Sequence, residues 1–171
     1  MRAFAERERE PDRPGKVSVD SELRDRLEIV ETCTRMAWYT DRREWDRLED
    51  VFASQVEVDY TSLNRGEPAT IPRAELIAGW RSVLGGLRAT QHLTGNHLVS
   101  LEEDSATCTA TFQATHLSED PHGGPRWTLG GDYLFALERA EGGWRINSVT
   151  MIAKWGSGNR HLMRLAAGDS E

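Results

Sequence analysis

The chain has 171 residues and a formal net charge of −7, with 21 basic and 28 acidic side chains. This length favours one domain with its own hydrophobic core, and the interleaving of arginines with acids argues against a phosphate-binding surface for nucleic acid. No apolar run is long enough to span a bilayer, and residues 1–15 lack the apolar segment of a signal peptide. We therefore expect a globular protein with no nucleic-acid or membrane partner.

The two cysteines, Cys33 and Cys108, fall in a predicted helix and a predicted strand and form no C-x-x-C pattern. They are interpreted as two reduced core thiols, which is typical of a reducing compartment, so we expect a cytoplasmic protein. Composition divides the chain into a charged, disordered tail at 1–18, one folded domain at 19–158 and a C-terminal tail at 159–171.

The first predicted helix is capped by Asp20 or Ser21 and runs to about Arg42. Its apolar and small residues recur every three or four positions, at Leu23, Leu27, Val30, Cys33 and Ala37. Asp41 continues this stripe and should point inward, where an unpartnered carboxylate is costly. We predict that His92 supplies the missing donor. The alternative is that Asp41 caps the helix that follows.

Shorter elements follow in the first half of the chain. A second helix is predicted at 44–52, and a strand at 56–60 places Tyr60 on the core face. Residues 63–70 contain Asn, Gly and Pro and are predicted to form a loop. Pro72 then opens a third helix that ends at Gly85 and closes over a sheet.

The second half of the chain is predicted to be an antiparallel meander of four strands, at 90–101, 105–117, 126–139 and 143–155. In the second strand small and apolar residues alternate with Thr and Gln, and His116 ends the apolar face. Gly130 and Gly131 would let the third strand bend sharply. The predicted fold class is α+β, with a strongly curved antiparallel sheet and three helices that enclose a pocket.

Four side chains could carry chemistry in such a pocket. His92 is either a base or a histidine with an ordinary structural hydrogen bond. Strict alternation puts it on the face opposite to the apolar residues Leu93, Val99 and Leu101. A bulge at Gly95 could change the register and turn His92 inward. His116 is either a pocket residue or a core histidine. Tyr60 and Tyr133 are either amphipathic core residues or phenols that hydrogen-bond a substrate carbonyl.

The remaining histidines, His97, His122 and His161, are interpreted as solvated or loop residues. The sequence contains no H-x-H or H-E-x-x-H pattern, no Cys/His cluster, no phosphate loop, no dinucleotide fingerprint and no G-x-S-x-G elbow. We therefore predict neither a metal nor a cofactor.

Several segments resemble the SnoaL-like branch of the nuclear transport factor two superfamily, particularly scytalone dehydratase. They are 39–48, 56–60, 90–95, 115–116 and the closing pattern Gly-Gly-Trp-Arg-Ile at 142–146. The resemblance covers about 20–156. It implies a cone-shaped α+β barrel, no cofactor, frequent dimers or trimers, and an Asp–His pair that removes a proton next to an electron-withdrawing group.

Residue by residue, the resemblance assigns the Asp–His pair to Asp41 and His92, a second histidine to His116, and a carbonyl-polarising tyrosine to Tyr60. Thr40 stands where scytalone dehydratase has another tyrosine. Gly131 and Tyr133 stand where its pocket Ser and Asn would be, so we expect a substrate other than scytalone.

The predicted function is a cofactor-independent dehydratase or cyclase, with isomerase as a variant, acting on a small apolar hydroxy-carbonyl metabolite such as a polyketide. The catalytic residues are Asp41, His92, His116 and Tyr60. The predicted substrate-binding residues are Tyr133, Tyr39, Trp80, Phe112 and Asn96. The resemblance also implies a homodimer or homotrimer. The alternative function is a non-catalytic module that binds a small molecule or joins a complex.

Overall fold

The computed structural model describes residues 19–118 and 124–166. Its elements in chain order are α1 (Val19–Arg42), a 3-10 helix (Trp45–Asp50), β1 (Phe52–Asp59), α2 (Thr61–Asn64), β2 (Ala69–Pro72), α3 (Arg73–Gly85), β3 (Ala89–Glu102), β4 (Ser105–Leu117), β5 (Arg126–Ala140), β6 (Gly143–Gly158) and α4 (Leu162–Ala166). None of these described helices is long and apolar enough to cross a membrane. The predictions for 1–18, for His122 and for 167–171 lie outside the described residues.

One curved, unclosed six-stranded sheet forms the body of the domain, with strand order β2-β1-β6-β5-β4-β3. The four strands from β3 to β6 pair antiparallel with their neighbours in sequence, which confirms the meander and the α+β class. One pairing that the sequence did not predict is parallel, because β1 runs in the same direction as β6. The fold is therefore an open barrel whose concave face the helices cover.

The bend in β5 occurs at the predicted glycine pair. The register with β6 shifts between Gly130 and Gly131. A Cβ atom at Gly131 would lie 2.0 Å from the carbonyl oxygen of Ile152, so no larger residue fits where the two strands approach. This close approach curves the sheet around the space under the helices.

Helix α1 packs on the sheet through a different face from the one predicted at its N-terminal end. Leu23 and Leu27 are 57% and 63% exposed, and the buried residues are Ile29, Thr32, Cys33, Met36, Ala37, Tyr39 and Thr40. Polar contacts fix this orientation: Arg26 donates to the carbonyl of Val99 at 2.6 Å. The predicted stripe is wrong for the first two turns and correct from Cys33 onward.

The segment between α1 and α3 also differs from the prediction. The second helix is a shorter 3-10 helix, and Phe52 already belongs to β1. Strand β1 ends at Asp59, whose carboxylate accepts hydrogen bonds from the backbone and hydroxyl of Thr61 and thereby starts α2. Tyr60 therefore lies just outside the strand, at the N-terminus of α2. The predicted loop at 63–70 contains the end of α2 and the beginning of β2.

The core lies between α1 and the concave face of the sheet. On β4 the predicted apolar face is buried throughout, from Ala106 to His116. Cys33 and Cys108 are both buried and free, as predicted.

The chain folds back onto the domain after β6. Helix α4 packs against α3, and Leu162 is completely buried. The described structure thus continues beyond residue 158, where the sequence predicted the domain to end.

Candidate active site

The last turn of α1 places Asp41 against β3. Its Oδ1 accepts hydrogen bonds from Nδ1 of His92 at 2.7 Å and from the hydroxyl of Thr90 at 2.9 Å, while Oδ2 accepts one from the backbone N–H of His92 at 2.6 Å. Since an ionised carboxylate only accepts, the Nδ1 atom carries the imidazole proton and Nε2 is left as the free base. The predicted contact between Asp41 and His92 is therefore present.

Asp41 is held in its ionised form by these donors. Burial raises the pKa of this carboxyl, but the hydrogen bonds and charge of His92 and the hydroxyl of Thr90 outweigh it, so the pKa lies below its ordinary value. Glu44, not Asp41, stands at the N-terminus of the 3-10 helix. The capping alternative is therefore wrong, because within residues 19–118 and 124–166 the Asp41 carboxylate accepts its hydrogen bonds from β3.

A bulge in β3 explains how His92 faces inward together with the apolar residues that follow. The register with β4 shifts between Gly95 and Leu98, and Asn96 has a positive φ of 55° there. His92 lies opposite Ala114 before the bulge, and Val99 lies opposite Cys108 after it. Because paired residues of antiparallel strands share a face, all four side chains point to the concave side.

A cavity of about 780 Å³ opens between the sheet and the helices. Asp41 lies behind its wall, while His92 and His116 form part of the wall. Four of the other predicted residues also line it, namely Tyr60, Tyr133, Trp80 and Phe112. Most of the lining is apolar and comes from all four α-helices and from β3 to β6.

Two predicted substrate-binding residues lie outside this lining. Tyr39 is 7% exposed and packs in the core, with the guanidinium of Arg47 4.2 Å from the centre of its ring. Asn96 sits at the exposed bulge of β3 and donates to the hydroxyl of Thr111 at 3.0 Å. Their positions remove both from the set of residues that can contact a ligand in this cavity.

Sequence reasoning missed the residues that α4 and the turn before it contribute. Arg160, His161, Met163 and Arg164 all line the cavity. The sequence predicts a C-terminal tail for these residues and a solvated or loop position for His161. The available signal was the apolar spacing of Leu162, Met163 and Leu165 within a few residues of Gly158, which is typical of a short helical turn.

The ring of His116 meets the ring of His92 edge to face, with 5.6 Å between centroids. His116 is 4% exposed, and its Nδ1 has no hydrogen-bond partner in the described part of the chain. Burial, together with the neighbouring His92, lowers the pKa of His116 to about 4. His116 is thus neutral at pH 7. It can donate one N–H hydrogen bond but cannot act as a cationic acid.

This burial predicts a dependence of stability on pH. Folded His116 takes up its proton near pH 4, whereas an unfolded histidine does so near about pH 6.5. Between these values the unfolded state binds more protons, so stability is lost as pH falls, by about 2 kcal/mol from pH 7 to pH 5. Urea unfolding should show a smaller loss for His116→Gln than for wild type. An equal loss in both proteins would contradict a buried neutral His116.

The two cavity tyrosines remain protonated donors. Burial raises the pKa of Tyr60 and of Tyr133; the charge of Asp41 raises that of Tyr133 further, and the indole of Trp80 partly offsets the effect on Tyr60. The Tyr133 ring stacks on Phe112 with 4.3 Å between centroids. Both phenols can therefore donate a hydrogen bond to an oxygen in the cavity.

Solved structures with this fold include proteins of several activities. The Kfla4162 protein from Kribbella flavida is 31% identical, with a TM-score of 0.80 over 84% of this chain and 99% of that one. A candidate scytalone dehydratase from Novosphingobium aromaticivorans is 19% identical, with a TM-score of 0.73 over 84% and 93%. Hexachlorocyclohexane dehydrochlorinase LinA-type3 from Novosphingobium barchaimii is 14% identical, with a TM-score of 0.68 over 84% and 95%. The last two identities show a shared fold alone.

An uncharacterised protein from Mycobacterium tuberculosis is 33% identical over 88 residues, which is 51% of this chain. The match spans 57% of the length of that curated relative.

The SnoaL-like domain family matches residues 21–150, which is most of the chain. The matched region runs from α1 into β6 and includes the Asp41–His92 pair, His116 and both cavity tyrosines. On this match, the chain belongs to the SnoaL-like domain family.

Proposed function

We propose that this protein is a lyase that eliminates water from a hydroxy-carbonyl compound by removing a proton from the carbon next to the carbonyl. The observation that carries the proposal is the contact of 2.7 Å between His92 and Asp41 at the wall of a largely apolar cavity. An ionised carboxylate bonded to a histidine, as Asp41 is to His92, orients that histidine as a general base and stabilises it once it is protonated.

The first step assigns the base. Nε2 of His92 takes the proton from the carbon, and the electron pair of that C–H bond moves toward the carbonyl oxygen to form an enolate. Asp41 keeps the proton of His92 on Nδ1 and stabilises the imidazolium that results. Tyr60 and Tyr133 line the same cavity and donate hydrogen bonds to the enolate oxygen, where negative charge develops.

The second step expels the β-hydroxyl group. The enolate electrons form the carbon–carbon double bond as the C–O bond breaks, and the leaving oxygen needs one proton to become water. Because His116 is neutral, we assign that proton to the His92 imidazolium and give His116 a hydrogen bond to the leaving oxygen. The two rings are in edge-to-face contact, so one face of the substrate can meet both. His92 is then neutral again and the cycle closes.

The fold supports elimination as the reaction class. The structural neighbours include a candidate dehydratase and a dehydrochlorinase, and both names denote elimination reactions. The cavity volume lies within the range for small-molecule sites, and its apolar lining suits a ring system such as that of a polyketide. Cyclase and isomerase reactions begin with the same proton removal, so they are variants of this proposal.

A non-catalytic binding module is the second class of function that this fold serves. Such a module would need the apolar cavity but not a partly buried, ionised carboxylate bonded to a histidine, which is costly to desolvate. The Asp41–His92 contact therefore favours catalysis.

A substrate screen tests the proposal. Hydroxy-carbonyl compounds with the hydroxyl β to the carbonyl are incubated with wild type and with His92→Ala, and loss of water is followed by mass and by the absorbance of the conjugated product. We expect at least one compound to lose water faster with wild type than with the variant. Equal rates across the panel would overturn the lyase assignment and favour the binding module.

A further inference from the structure

The opening of the cavity carries positive charge. Arg160, in the turn after β6, and Arg164, on α4, both line the cavity, and both are exposed to solvent, so they lie at its entrance. No carboxylate side chain is among the described residues of the lining. A ligand that enters here passes from two guanidinium groups into an apolar interior.

Arg160 is positioned by the end of α2. Its Nη2 atom donates to the carbonyl oxygen of Leu63 at 2.6 Å and lies 3.5 Å from the side-chain oxygen of Asn64. A guanidinium has five N–H donors, so most of those of Arg160 stay available. In the described ranges 19–118 and 124–166, neither Arg160 nor Arg164 forms an ion pair with a carboxylate.

Arg164 is paired with a neutral partner. Its Nη2 atom lies 2.9 Å from Nδ1 of His161. Because a guanidinium can only donate, Nδ1 of His161 is the acceptor and the imidazole proton sits on Nε2. Arg160, His161 and Arg164 thus present hydrogen-bond donors to the cavity and no free acceptor.

The turn that carries these side chains is anchored to the domain. Leu162 lies between them in sequence and is completely buried. The backbone N–H groups of Met163 and Arg164 donate to the carbonyls of Arg160 and His161 at 3.2 and 3.0 Å. Anchored donors lose less conformational entropy on binding, which favours recognition of a ligand group at this place.

We propose that the cavity entrance is an oxyanion-binding subsite, and that the ligand carries a carboxylate or phosphate group which Arg160 and Arg164 bind while its apolar body lies in the cavity. His161 adds a neutral donor from Nε2. The protein as a whole carries a net charge of −7, which repels anions. Two guanidinium groups that form no ion pair within the described residues would attract an anion to the cavity entrance in spite of this repulsion. The subsite does not depend on the proposed function, except that under that function the ligand is the substrate of the lyase.

Binding of matched probes tests the subsite without any turnover. The probes are 2-naphthoate, 2-naphthyl phosphate and the neutral isostere 2-naphthamide, and their binding is measured by calorimetry and by quenching of tryptophan fluorescence, since Trp80 and Trp127 line the cavity. We expect wild type to prefer at least one anion over the amide by about tenfold or more, because charge-assisted hydrogen bonds are among the stronger ones. The better of the two anions identifies the oxyanion class.

Charge-removing variants locate the preference. Arg160→Gln combined with Arg164→Gln should abolish the preference for the anion, so that the anion and the amide bind about equally. The double lysine variant should retain part of the preference. Arg81→Gln with Arg35→Gln is the matched control, because both arginines lie on helices away from the lining, with side chains 57% and 42% exposed, and the charge change is the same. Circular dichroism and thermal unfolding check that each variant is folded.

The outcomes separate the subsite from the lyase assignment. His92→Ala should keep the preference for an anionic probe over the amide. If wild type shows this preference but eliminates water from no compound, the subsite is supported and the lyase assignment is not. Absence of any anion preference in wild type, including failure of all three probes to bind, overturns the subsite. So does a preference that survives in the double glutamine variant.

Discussion

His92→Ala is expected to reduce kcat/KM for water elimination by about a thousandfold, within the range that a positioned general base contributes. The variant loses the atom that accepts the carbon-bound proton, while Tyr60 and Tyr133 still polarise the carbonyl. The measurement is the initial rate of double-bond formation with the best compound from the screen. Binding of an unreactive ketone analogue should change much less than turnover.

Added imidazole gives this prediction a sharper readout. The side chain of His92 is 12% exposed and borders the cavity, so its removal leaves room for a free imidazole molecule. Imidazole should restore part of the activity of His92→Ala, and the restored rate should rise with pH as imidazole loses its proton. A variant that is folded, fully active without imidazole and unaffected by it would show that another group is the base.

Asp41→Asn is expected to lower kcat by at least about a hundredfold without unfolding the protein. The asparagine keeps the shape of the side chain but carries no charge to stabilise the His92 imidazolium. Its amide can also donate to Nδ1 of His92, which would move the imidazole proton to Nε2 and block the base. Nitrogen-15 NMR of the histidines can detect that change of tautomer directly.

Thr90→Val is the matched control for Asp41→Asn. It removes the third hydrogen bond to the same carboxylate, from a hydroxyl 2.9 Å away, but leaves the charge and the contact with His92 in place. We expect a decrease several times smaller than that of Asp41→Asn. Wild-type turnover in a folded Asp41→Asn variant would show that the carboxylate positions β3 and takes no part in catalysis.

Periodicity predicted β4 and the C-terminal half of α1 well, because each of these segments packs one face on the core along its whole length. It failed for Leu23 and Leu27, where contacts such as that of Arg26 with Val99 decide which face of α1 meets the sheet. An apolar residue in a helix can face solvent without a large penalty, so the pattern alone does not fix the phase of the first turns.

The inward orientation of His92 could not be predicted from alternation along β3. Alternation placed it opposite to Val99 and Leu101, and the sequence offered a bulge at Gly95 only as an option. The bulge depends on how β3 pairs with β4, a contact between segments distant in sequence, and the structure places it between Gly95 and Leu98. The α4 residues were missed for a similar reason, because a five-residue helix has little signal of its own and forms against α3.

The sequence by itself determined the α+β class and the antiparallel meander, because these follow from local periodicity, and it singled out Asp41 because of the cost of burying a carboxylate without a donor. The choice of His92 as that donor was supported by the family resemblance and not by alternation. Only the tertiary structure decided the parallel pairing of β1 with β6, the neutral state of His116 and the position of Arg160 and Arg164 at the cavity entrance. Strand order, burial and the return of the chain over the cavity depend on contacts between distant segments. The free energies of these contacts come from packing and desolvation, which cannot be predicted from a local pattern of residues.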